Sequence, residues 1–183
     1  MSLRLSVCPV WFACVLNNPV RRWLHKPDEM LGGLVAPGFV VLEIGCGSGP
    51  FTTVLAELVG SSGRVIAADI QPAMLAKVRK RVERAGLQDR VEFHMCGRNH
   101  IGLSNRVDFA LAFWMLHEVP NAVSFLAEMR ELLSANGKLL LVEPKLHVGR
   151  GEFRMEMEAA WKAKFTLVAR PTIRLSHAAL FAK

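Results

Sequence analysis

The chain has 183 residues, 51% hydrophobic and 21% charged, which is enough to bury the core of one domain and excludes a disordered tail or linker. Lys and Arg total 23 against 16 Asp and Glu, a net charge of +7, but the cations are spread over Arg21/Arg22/Lys26, Arg79–Arg84 and Arg150/Arg154. Nucleic acid is therefore a possible partner but not the favoured one. No apolar run reaches the ~18 residues of a membrane span, since Val7–Leu16 carries Pro9 and Val107–Leu116 carries Asp108.

In chain order, residues 1–37 show no clear period and hold prolines at 9, 19, 27 and 37. They read as a covering segment of a single domain spanning 1–183, whose core begins at residue 38. The apolar stretch after Arg4 lacks a small-x-small cleavage site, and Cys8, Cys14, Cys46 and Cys96 show neither paired spacing nor disulfide density. A cytoplasmic location is expected. Phe39–Ile44 is the first strand, apolar except for Glu43, and Pro50 opens a helix with the stripe Phe51, Val54, Leu55, Leu58 and Val59. Arg64–Asp69 is the second strand, followed by a helix from Gln71-Pro72 to Gly86 that buries Met74, Leu75, Val78 and Val82.

Val91–Met95 and Val107–Phe113 are the third and fourth strands. Asn121 caps a helix that Asn136-Gly137 closes before a fifth strand, Lys138–Val142, ended by Pro144. Glu152–Lys164 is a further helix, and Phe165–Arg170 and Ala178–Ala182 are the last strands. Strands alternating with helices specify an α/β fold with a mainly parallel sheet.

The stretch from Val40 to Phe51 places Gly45, Cys46, Gly47 and Gly49 in a turn between a strand and a helix, at the carboxyl edge where such sheets bind ligands. Asp69, closing the second strand, is suited to a ribose. A glycine turn and a ribose acid serve either a dinucleotide or S-adenosylmethionine. A dinucleotide requires G-x-G-x-x-G and a free helix start for its pyrophosphate, whereas here the pattern is G-x-G-x-G followed by Pro50. Glu43 at the mouth would repel a diphosphate and suits the ammonium of a methionyl group.

The segments VLEIGCGSGPFT, VIAADIQPAML, DFALAFWMLHEVPN and GKLLLVEP, in this order over residues 35–145, resemble class I S-adenosylmethionine-dependent methyltransferases, in particular the small-domain group that includes quinone-biosynthesis C-methyltransferases. The resemblance implies a Rossmann-like sheet of seven strands, ordered 3-2-1-4-5-7-6 with the seventh antiparallel and helices on both faces. It implies that Gly45, Cys46, Gly47 and Gly49 line the methionyl and ribose groups, with Glu43 on the ammonium, Asp69 on the ribose and Ile70 against adenine. Gly97 and Arg98 would border the adenine and Phe113 the reactive methyl. Many relatives have an acid in a G-D-A sequence after strand three, where this chain reads Cys96-Gly97-Arg98. Lys164-Phe165 stands where relatives often have Gly-Phe.

Transfer from a sulfonium needs positioning and dryness more than an enzyme nucleophile. His117 and Glu118, leaving strand four, are the candidate bases, with loop packing the competing role for His117 and solvation for Glu118. Cys46 is read as packing rather than reactive, and no metal is expected. A thiolate trap from Cys8, Cys14 and Cys96 is a lesser alternative. Trp11, Phe12 and Trp23 could cover either the acceptor or the core, and Met155, Met157 and Trp161 are read as helix packing. The expected activity is methyl transfer, yielding S-adenosylhomocysteine, to a small apolar or aromatic acceptor. RNA or protein methylation and a non-catalytic cofactor-binding subunit are the alternatives, and the oligomeric state stays open.

Overall fold

The computed structural model describes residues 27–183. A short helix α1 (Pro27–Leu31) precedes β1 (Val40–Ile44), α2 (Thr52–Val59), β2 (Arg64–Asp69), α3 (Pro72–Arg84), β3 (Val91–Met95) and β4 (Val107–Phe113). Then follow α4 (Ala122–Leu132), β5 (Leu133–Pro144), α5 (Arg150–Lys162), β6 (Thr166–Ala169) and β7 (Ser176–Ala182). They form a seven-stranded sheet in the order β3-β2-β1-β4-β5-β7-β6. β1 to β5 run parallel and β7 is antiparallel to both neighbours. This is the expected topology.

Side-chain alternation along each strand divides the core into two layers. Leu42, Ile44, Leu139 and Leu141 pack toward Phe125 and Met129 of α4 and Phe153 of α5. Val41, Leu111, Leu140 and Val142 pack toward Val54 and Leu55 of α2 and Val78 of α3. Each such fully buried aliphatic contributes about 1.5–3 kcal/mol relative to exposure. The alternation also fixes where the strand-end acids point: Glu43 shares the α2 face with Val41, and Glu143 shares the α5 face with Leu141.

Several boundaries differ from the sequence reading. α2 begins at Thr52, not at Pro50, which remains in the loop with Phe51 as the N-cap. β5 begins at Leu133 and runs through Asn136-Gly137, which therefore do not close α4. Leu133 itself already adopts extended angles and pairs with Val107, so sheet pairing overrides the local stop signal there. Asn121 caps α4 as expected, its Oδ1 accepting from the Ser124 N–H at 3.2 Å. Met155 and Trp161 are 62% and 73% exposed, so only Met157 of that group packs against the core. Trp11, Phe12, Trp23, Cys8, Cys14 and most of the expected covering segment lie outside the described residues.

Lys164 has φ +68°, in the left-handed region just past α5. Glycine fits such a position without strain, and here a lysine occupies it.

Candidate functional site

The turn after β1 is held by main-chain contacts. The N–H groups of Gly45 and Cys46 both donate to the Ala68 carbonyl, at 2.8 and 3.0 Å, and Gly49 N–H donates to the Cys46 carbonyl at 3.0 Å. Gly45, Gly47 and Gly49 all have positive φ. At Gly45 the need is also close approach, because a Cβ there would lie 2.8 Å from Cβ of Met115, which follows β4. At Gly47 a Cβ would meet nothing within 4 Å among the described residues, which leaves this part of the turn open to a ligand on their side.

Asp69 ties the turn to β2: its Oδ2 accepts from Gly47 N–H and its Oδ1 from Gln71 N–H, both at 2.9 Å. Burial raises its pKa, against the lowering effect of the backbone N–H groups of Gln71, Gly47 and Ile70. Glu43, 3% exposed, accepts a 2.5 Å hydrogen bond from Thr52 Oγ1. Cys46 is buried between these acids. Desolvation, then the charges of Glu43 and Asp69, push its thiol far above its ordinary range, so at neutral pH it is not a thiolate. The same local negative field disfavours a diphosphate and favours a cationic ligand.

Ile70 is half-buried and packs against the core. Phe113 is buried, its ring 4.4 Å from Phe51 and 5.4 Å from Trp114, forming an aromatic rim beside the turn. Arg98 is exposed. Gly97 is covered by His100: its N–H donates to the His100 carbonyl at 2.9 Å, and a Cβ would strike the imidazole at 2.3 Å. Where relatives often carry an acid, this chain folds a histidine back over its own glycine. Glu128 of α4 fixes that loop by accepting from the N–H groups of Ile101 and Gly102.

His117 lies in the 3-10 turn Leu116–Glu118. Its Nδ1 stands 2.6 Å from Oε2 of Glu143, which is fully buried at the end of β5. A carboxylate only accepts, so Nδ1 carries the proton and the neutral ring presents Nε2 as a base. Burial lowers the His117 pKa, but the hydrogen bond and charge of Glu143, with help from Glu118 and Glu152, outweigh it and leave the value raised. Glu143 also accepts from the N–H groups of Leu116 (2.7 Å) and His117 (3.4 Å), so it holds the turn as well as the ring. Glu118 Oε1 is 4.0 Å from His117 Nε2. The structure thus brings His117 and Glu118 together at the carboxyl edge, with Met115 packed on Gly45 as the link to the glycine turn.

The sequence pattern does not single out Glu143. Its signal was the same as that of Glu43, an acid ending an apolar strand. The sequence pattern does not single out Glu156 of α5 either: it is 8% exposed, its Oε2 has no hydrogen-bond partner among the described residues, and burial followed by the charges of Glu143 and Glu152 pushes its pKa to about 9. Among the described residues no cluster of three or more His, Cys, Asp or Glu could hold a metal ion, and no helix is long and apolar enough to cross a membrane. Cys96 is buried, and burial followed by the charge of Asp69 raises its thiol to about 11.

The sequence profile of the family described as Methyltransferase domain matches residues 36–178. The chain belongs to this family. Among curated proteins, this methyltransferase domain is 34% identical over 124 residues to the ubiquinone/menaquinone biosynthesis C-methyltransferase of Cellvibrio japonicus, covering 67% of the chain and 49% of that protein. The corresponding enzyme of Hydrogenovibrio crunogenus is 30% identical over 124 residues, again 67% of the chain and 48% of the relative. The domain therefore spans about half the length of these curated relatives. Its fold superimposes on a crystal structure of a SAM-dependent methyltransferase from Aquifex aeolicus with TM-score 0.84 and 24% identity, covering 96% of this chain and 98% of the other.

S-adenosylmethionine, the cofactor of this class of domain, fits the residues present. The open face at Gly47, the anchored carboxylate of Asp69 and the negative field around Cys46 suit a ribose and a cationic ligand.

Proposed function

We propose that the chain catalyses methyl transfer from S-adenosylmethionine to a small acceptor with an aromatic, quinone-like ring, with His117 as general base. When bound, the cofactor supplies a methyl group on a sulfur cation that leaves as a neutral thioether. Gly45, Cys46, Gly47 and Gly49 would present their backbone to it, Glu43 would hold its ammonium and Asp69 its ribose, and Ile70, Gly97 and Arg98 would border its adenine. Phe113 and Trp114 offer the acceptor a flat apolar wall.

The carrying observation is the His117–Glu143 pair at the carboxyl edge of the sheet, two residues past the Met115 that packs on Gly45. With Nδ1 engaged, His117 Nε2 can take the proton that the acceptor loses as its new bond to carbon forms. Glu143 stabilises the resulting imidazolium, the arrangement that generalises from catalytic triads. Glu118 supports the same charge at longer range. The names of the curated relatives, C-methyltransferases of quinone biosynthesis, favour a ring acceptor.

The test is incubation of the purified chain with methyl-labelled cofactor and a panel of phenols and hydroxyquinones. Label is expected in at least one ring compound, and His117→Ala should lower turnover about 10²-fold or more with cofactor affinity retained. Absence of both cofactor binding and label transfer would refute the proposal.

A further inference from the structure

Beyond Pro144 the carboxyl edge of the sheet reverses its electrostatic sign. A cavity of about 430 Å³ opens between the start of α5, the β6–β7 loop and the first residues of β7. Lys145, Arg150, Arg154 and Arg170 line it, and among the described residues no acidic side chain does. None of these four cations forms an ion pair among the described residues. Four like charges around one hollow repel each other, and an anion in their midst removes that repulsion. The floor is apolar and aromatic: Phe153 stacks on His177 with centroids 5.0 Å apart, and Met157 and Ile173 complete it. Burial, then the charges of Lys145 and Arg150, lower the His177 pKa, so this ring stays neutral at neutral pH and adds no further charge.

We propose that this cavity anchors a phosphate or diphosphate ester group of the same small molecule that is methylated beside β4. The inference rests on the methyltransferase reading above. Three guanidinium groups suit a group with several anionic oxygens, since each can form paired hydrogen bonds, whereas a carboxylate with one charge needs only one. The volume is that of a small-molecule site.

Packed side chains link the reactive end to the cavity wall. Trp114 stacks on Phe113 and donates from Nε1 to Ser176 Oγ at 3.0 Å, and Ser176 is itself part of the cavity wall. From β4 across β5 to β7 is two strand spacings, so the acceptor would carry its anionic group roughly 10 Å from the atom that receives the methyl. An extended nucleic acid backbone is the weaker match, because the cations ring one hollow instead of forming a stripe. The dense Arg79–Arg84 group sits on α3, packed on β2 and β3 at the other end of the sheet.

The test is calorimetric titration with inorganic pyrophosphate of the wild-type chain and the double variant Arg154→Glu/Arg170→Glu, each also titrated with S-adenosylmethionine. Both arginines are exposed, so the fold should survive, and Lys145→Glu serves as an independent second variant. Pyrophosphate should bind the wild type and weaken about 100-fold in the double variant, from the loss of two charge-assisted contacts, while cofactor affinity is unchanged. Equal pyrophosphate affinity in all three proteins, or none at millimolar concentration in the wild type, would overturn the anion site. Pyrophosphate binding without any cofactor binding would uphold the anion site and break the methyltransferase reading instead. A single-stranded RNA that displaces pyrophosphate, with steep salt dependence abolished by the same double variant, would overturn the small-acceptor assignment.

Discussion

The two halves of the sheet's carboxyl edge are built differently. Around β1 and β2 the site is a matter of main chain: positive φ at three glycines, N–H groups bonded to Ala68 and Asp69, and buried acids that make the local field negative. Around β4, β5 and β7 it is a matter of side chains brought from distant positions, with His117 meeting Glu143 across 26 residues and Trp114 meeting Ser176 across 62. The first half can be damaged only through a few backbone-critical residues. The second can be retuned by side-chain exchange, which is where acceptor choice would vary without loss of the fold.

That contrast can be broken most severely at the glycine turn. Gly47→Val places a branched side chain at φ +55° and fills the open face, and Asp69→Ala removes the carboxylate. Cofactor affinity by calorimetry should fall about 10- to 100-fold in each, with pyrophosphate binding at the β5–β7 cavity untouched. If both sites failed together, the halves would not be separable.

The next effect is kinetic. Glu143→Gln removes the charge that raises the His117 pKa, so the acid limb of the pH–rate profile should move to lower pH while maximal turnover also drops about 10-fold or more. An unmoved acid limb would assign Glu143 to holding the turn alone.

A smaller effect is on stability. The Glu156 pKa in the fold, about 9, lies above its ordinary 4.5, so the folded state holds a proton that the unfolded chain releases in this range. Stability is therefore full below 4.5 and declines as pH rises toward 9. His117, also raised, acts in the same direction: its contribution is complete below 6.5 and is lost as pH climbs through its higher folded value. Glu156→Gln should flatten the alkaline decline of Tm and raise Tm by a few degrees at the basic end, as read by calorimetric scans. An equally steep decline in the variant would assign the loss to other groups. Least of all, Lys164→Gly should relieve left-handed strain and stabilise by about 0.5–1 kcal/mol, measured by denaturant unfolding.

Much of this molecule was legible before folding. β2 and β4 have the bounds that their apolar runs specify, because strands covered on both faces write their limits as changes in hydropathy, and the edge strand β3 keeps its expected bounds although Glu92 and Met95 are exposed. The G-x-G-x-G turn and Asp69 were readable for a related reason: an unusual backbone angle restricts residue type locally. Met155 and Trp161 misled, since apolar residues on a helix do not state which face the helix buries.

The linear order of residues thus determined the α/β fold, the glycine turn and its acid, each being a requirement met within a few neighbouring positions. The folded arrangement alone decided that Glu143 would reach His117, that Glu156 would be buried beside other acids, and that four cations from the turn after β5, from α5 and from the β6–β7 loop would face one hollow. Those encounters depend on strand order and register, which bring together side chains whose own neighbours in sequence carry no trace of the meeting.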